Sequence, residues 1–233
     1  MKKTLLTLAL TAVVASSGMA QGFVIFSNPG NERISVNSTV GGAATGAMPT
    51  TSTYYFALFY SASATTVDGS AAAVTGAGNY VFNDANWTFD NPTAGQANGY
   101  VYGPGYGQNV AAGQFTSSYI DPTQSGTLVP FTTPAQFVVV GWSGNIGTTW
   151  SAVQTWLANP SVNGWIGESA VSAAITPGNP NGSPATPAAS LFGLPAGELT
   201  KFTLGEIVGT PEPSTIALAG LGGLALLAFR RRK

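Results

Sequence analysis

The sequence predicts a mainly β protein: a single β-sandwich with one short helix, occupying residues 21–210. Three observations carry that expectation. Short runs of aromatic and β-branched residues recur along the chain, each bounded by Gly, Asn, Pro or Ser. Charged residues make up only 7% of the chain, against a typical quarter, so solubility rests on hydroxyl and amide groups. Cysteine is absent, so no disulfide staples the fold, and stability must come from burial and backbone pairing.

The expected strands, in order, are Phe23–Phe26, Ile34–Val36, Tyr54–Tyr60, Tyr80–Phe82, Tyr100–Tyr102, Phe137–Trp142 and Phe202–Val208. The run Phe137-Val138-Val139-Val140 is apolar at consecutive positions, the pattern of a central strand covered on both faces. The helix is expected over Trp150–Leu157, capped by Thr148 or Thr149 and stopped at Asn159-Pro160, with Trp150, Val153, Trp156 and Leu157 on one face. Two loops complete the domain: a Pro-rich stretch at 176–189 and a Gly-rich stretch at Gly103–Gly113.

The ends have a different composition. Lys2 and Lys3, the apolar stretch Leu5–Ala15 and the small-x-small triplet Gly18-Met19-Ala20 describe a signal peptide over 1–20, cleaved between Ala20 and Gln21. At the other end, Pro211-Glu212-Pro213 precedes an apolar run ending at Phe229, expected to form a transmembrane helix over 214–229. The basic cluster Arg230, Arg231, Arg232 and Lys233 follows and acts as a stop-transfer signal. The apolar core Ile216–Phe229 spans only about 21 Å against a hydrocarbon thickness of about 30 Å, so it suits a transient rather than a permanent anchor.

This C-terminal arrangement resembles the PEP-CTERM sorting signal of Gram-negative bacteria, carried here by residues 211–233. The resemblance implies recognition of Pro211, Glu212 and Pro213 by an exosortase-like membrane enzyme. It also implies earlier contact with the export machinery and signal peptidase, and a final place at the cell surface or in an extracellular matrix of exopolysaccharide or biofilm. The opening segment Gly22–Asn28, the central Phe137–Asn145 and the closing Phe-Thr-Leu strand are similar to secreted β-rich proteins of planctomycete and verrucomicrobial bacteria.

Between the signals the chain carries eight acids and two bases, Arg33 and Lys201, a net charge of −6 that argues against a nucleic-acid partner. Histidine is absent, which removes the commonest general base and transition-metal ligand. No cofactor or metal is expected. The pairs Asp84 with Asp90 and Glu168 with Glu206 are the carboxylates available to a glycan-active enzyme, and Asp84, Asn86 and Asp90 have calcium-type oxygens without the EF-hand spacing.

Trp142, Trp150, Trp156 and Trp165 cluster within a short stretch and are expected mainly in the core. Tyr102, Tyr106 and Trp142 are kept as candidates for glycan contact. The expectation is therefore a non-enzymatic exported surface protein, with a carbohydrate- or ice-binding module as the alternative and a secreted glycan-active enzyme third. The threonines at 50, 51, 53, 65 and 66 lack the regular period of an ice-binding face.

Overall fold

A computed structural model describes residues 21–37, 44–69, 81–90, 106–116, 125–193 and 199–209. The expected signal peptide, the strand Tyr100–Tyr102 and the C-terminal helix over 214–229 lie outside these residues. No helix among the described residues is long and apolar enough to cross a membrane.

The strands are β1 (Gln21–Ile25), β2 (Ser35–Val36), β3 (Gly46–Ala47), β4 (Tyr54–Ser61), β5 (Thr88–Phe89), β6 (Tyr106–Ala111), β7 (Gln114–Thr116), β8 (Ser125–Pro130), β9 (Gln136–Ser143), β10 (Gly164–Glu168), β11 (Ala189–Ser190) and β12 (Thr203–Ile207). They form a nine-stranded sheet, ordered β3-β2-β12-β10-β9-β4-β6-β7 with β5 on β4, and a three-stranded sheet, β11-β1-β8. The single α-helix among the described residues, α1, spans Trp150–Ala158.

The centre of the large sheet is the β4–β9 pair, in antiparallel register from Tyr54↔Ser143 to Ser61↔Gln136. Alternation of side chains sends Phe56, Leu58, Phe137 and Val139 to one face and Ala57, Phe59, Val138, Val140 and Trp142 to the other. The first set packs with Val24, Phe26, Val129, Leu191 and Phe192 from the small sheet and its flanks. The second packs under α1 and the segment 81–90. Both faces are thus covered, which is why these two strands read as continuous apolar runs.

The helix begins where the sequence placed it: the Thr149 side chain accepts a hydrogen bond from the Ala152 N–H at 3.3 Å. Its Trp150, Val153, Trp156 and Leu157 are buried against the sheet. Where β10 ends, two serines continue its pairing with side chains. Ser169 Oγ accepts from Val139 N–H at 3.0 Å and Ser172 Oγ from Phe137 N–H at 2.8 Å, so the inner edge of β9 stays bonded.

Two expectations are corrected. Val81–Asn83 is a turn of 3-10 helix rather than a strand, because the Val81 N–H goes to the Glu168 carboxylate at 2.9 Å and the Val81 carbonyl accepts from Asp84 N–H, leaving neither for a ladder. The Gly-rich stretch at 103–113 contains a strand, Tyr106–Ala111. Its last glycine makes the β6–β7 turn: Gly113 has φ +71°. The 176–189 loop is irregular for most of its length, with a backbone bridge from Gly178 to Phe23 before β11 begins.

Candidate functional site

The structure removes Trp142 from the list of surface candidates. Its ring is 0% exposed, stacks on Tyr55 at 6.2 Å, meets Trp150 in a tilted contact at 6.1 Å, and donates its indole N–H to the Gly147 carbonyl at 2.9 Å. Strand parity is the reason: Trp142 follows Val138 and Val140 on the face that α1 covers. Trp150 and Trp156 are buried with it, at 8% and 6% exposure. Tyr102 lies outside the described residues. Tyr106 is placed by its backbone as the first residue of β6, paired with Ala57, and its side chain is outside what is described.

The remaining tryptophan behaves differently. Trp165 is half-buried on the opposite face from Ile166, donates its indole N–H to the Asn37 carbonyl at 3.0 Å and its backbone N–H to Ser143 Oγ at 2.9 Å. It lines a half-open cleft of about 460 Å³ at the end of the large sheet, whose other walls come from Ser52–Tyr55 and Ser143–Asn145. Sequence reasoning missed this cleft. The alternating pattern of Trp165 against Ile166 in a short strand was the signal that separates it from the other three tryptophans.

The walls are held by named bonds. Asn109, on β6, accepts from Tyr54 N–H at 2.7 Å and donates to the Ser52 carbonyl at 3.1 Å, pinning the chain that enters β4. Gly144 N–H donates to the Thr53 carbonyl at 2.7 Å across the cleft floor. A Cβ on Gly144 would stand 3.1 Å from both that carbonyl and the Tyr55 ring, so the close approach favours glycine. Asn145 Nδ2 donates to the Asn163 carbonyl at 2.6 Å, and Asn163 in turn donates to Glu206 Oε1 and accepts from Gly209 N–H. The cleft therefore lies beside the point where the last strand gives way to residue 210. Burial pushes the Tyr54 phenol up from its ordinary pKa.

Of the carboxylates available to a glycan-active enzyme, Glu168 and Glu206 are not brought together. Glu168 shares a face with Ile166, whereas Glu206 pairs with Trp165 on the other face, so the sheet separates them. Asp84 is occupied by local structure: its Oδ2 accepts from Asp68 N–H at 2.7 Å and its Oδ1 from Asn86 N–H at 2.9 Å, an Asx-type turn. Asp90 is buried beside Tyr60, and its charge adds to the burial that raises that phenol's pKa. Among the described residues no group of three or more acidic side chains converges as a metal site would require.

Glu168 and Asp84 nevertheless form an electrostatic pair under the 81–90 segment. Burial of its carboxyl group pushes Glu168 up to about 8; the Val81 N–H opposes this and the nearby Asp84 charge reinforces it. Asp84 is also desolvated, but hydrogen bonds from Asp68, Asn86 and Gly69 outweigh that and hold it below the usual carboxylate range. The signs follow. Between its unfolded pKa near 4.5 and about 8, native Glu168 keeps a proton that the unfolded chain has lost, so stability falls as pH rises through that window.

Asp84 acts oppositely, contributing stability that is lost as pH falls below the usual aspartate range. Stability should therefore be greatest in mildly acidic solution. The Glu168 contribution should decline by about 4 kcal/mol at most on going to pH 8, at about 1.4 kcal/mol per tenfold change in proton affinity. Glu168→Gln should flatten that decline in denaturant melts from pH 5 to 9. An unchanged pH profile in the variant would show that the carboxyl is not buried as described.

Residues 210–233 match the PEP-CTERM protein-sorting motif. No curated protein and no solved structure matches the chain. The matched segment contains Pro211-Glu212-Pro213, the apolar run and the basic cluster, and it follows β12 after only a few residues. The chain thus ends in a motif that marks an exported protein for exosortase sorting to the cell surface.

Proposed function

We propose that this protein is a non-enzymatic component of the cell surface or extracellular matrix, delivered by its sorting motif and resident in the exopolysaccharide layer. The observation that carries the reading is the sorting motif at 210–233, joined directly to a β domain. Support for a scaffold rather than an enzyme comes from what the acidic residues do: Asp84 closes a turn, and Glu168 and Glu206 sit on opposite faces of a sheet. Burial of three of the four clustered tryptophans supports the same reading, since those rings fill the core.

In this account the N-terminal segment 1–20 is removed by signal peptidase after Ala20. The 214–229 segment holds the chain in the inner membrane, with Arg230–Lys233 on the cytoplasmic side, until the exosortase-like enzyme acts at Pro211–Pro213. The taxonomic likeness to planctomycete and verrucomicrobial surface proteins is part of the same proposal. Digestion of the surface polysaccharide on intact producing cells should release most of the protein without detergent. Full retention after digestion, with release only by detergent, would overturn residence in the polysaccharide layer.

A further inference from the structure

We propose that the cleft walled by Ser52–Tyr55, Ser143–Asn145 and Trp165 is a binding site for a neutral polysaccharide. This rests on the matrix reading and names the ligand class for that surface. Size is the first argument, because about 460 Å³ lies within the range of small-ligand sites and admits a short run of pyranose rings.

Chemistry is the second. A pyranose ring has an apolar C–H face and an equatorial rim of hydroxyls. It needs an aromatic surface beside short neutral donors and acceptors. Trp165 supplies the first, and exposed Ser52, Thr53 and Asn145 supply the second. The Trp165 indole N–H is already donated to Asn37, so the ring acts through stacking rather than as a donor.

Charge selects a neutral chain. Among the described residues no Lys or Arg lines the cleft, and the exported region as a whole carries −6, so a uronate or sulfated polymer would meet repulsion there. Rigidity is the last argument. Asn109 fixes one wall, the Gly144–Thr53 bond fixes the floor, and the Glu206–Asn163–Asn145 relay orients the exposed amide, so little ordering is left to be done on binding.

The test uses the full-length chain purified in mild detergent and titrated by calorimetry with neutral hexaoses of glucose, mannose and galactose, and with polygalacturonate as the acidic comparison. At least one neutral hexaose should bind, and polygalacturonate should bind more weakly or not at all. Asn145→Ala and Thr53→Ala should each weaken binding about tenfold, the loss expected for one hydrogen bond to a buried partner. Trp165→Phe should weaken it further, with thermal melts confirming that each variant is folded. The proposal is overturned if no neutral hexaose binds, if the acidic polymer binds best, or if binding survives all three substitutions in folded protein. Matrix retention of the wild-type protein together with retention of all three variants would discard the cleft and leave the matrix reading standing.

Discussion

Trp142→Ala should be the most damaging single substitution in the exported domain, costing about 3 to 5 kcal/mol. The ring is fully enclosed between Tyr55, Trp150 and the strand beneath, and the surrounding backbone belongs to the central β4–β9 pair, which cannot collapse into the space. Removing the indole also leaves the Gly147 carbonyl without its donor next to the start of α1. For a domain of this size the loss corresponds to a fall in Tm of roughly 10 °C or more. Trp165→Ala should cost clearly less, since that residue is only half-buried. Equal melting temperatures for Trp142→Ala and the parent would contradict the assignment of this ring to the core.

Parts of this architecture were legible because burial and local chemistry agree there. In β4 and β9 consecutive apolar residues report two covered faces, and in α1 the Thr149 cap and the Asn159-Pro160 stop bound a segment with one apolar face. β10 was hidden by its glycines. Gly167 counts against a strand by propensity, yet it is there because the Thr203 carbonyl of the neighbouring strand lies where its Cβ would be. β6 was hidden in the same way, inside a Gly-rich stretch read as a loop.

Val81–Asn83 misled in the other direction. Its residues favour strands, but the carboxylate of Glu168, 87 positions away at the end of β10, claims the Val81 backbone N–H, and nothing local announces that bond. The cleft could not be read at all, since it joins three ordinary segments, at 52–55, 143–145 and 165, that only the sheet brings together. By contrast the sorting motif is contiguous, so it was read in full from residues 211–233 and matched over 210–233.

Replacing Pro211, Glu212 and Pro213 together with alanine should abolish surface delivery while leaving the domain folded. The motif lies beyond β12 in the chain, so the substitutions leave every residue of the two core clusters unchanged. The apolar run and Arg230–Lys233 remain in that variant, so it should accumulate untrimmed in the membrane fraction rather than pass into the medium. Surface delivery at the parental level would mean that the tripeptide is not what the processing enzyme reads.

The most direct measurement is the intact mass of the protein recovered from the cell surface. A chain beginning at Gln21 and ending within or just after Pro211–Pro213, without Arg230–Lys233, is the predicted result. Recovery of the full 233-residue chain from outside the cell, carrying both Lys2-Lys3 and the terminal arginines, would contradict the account.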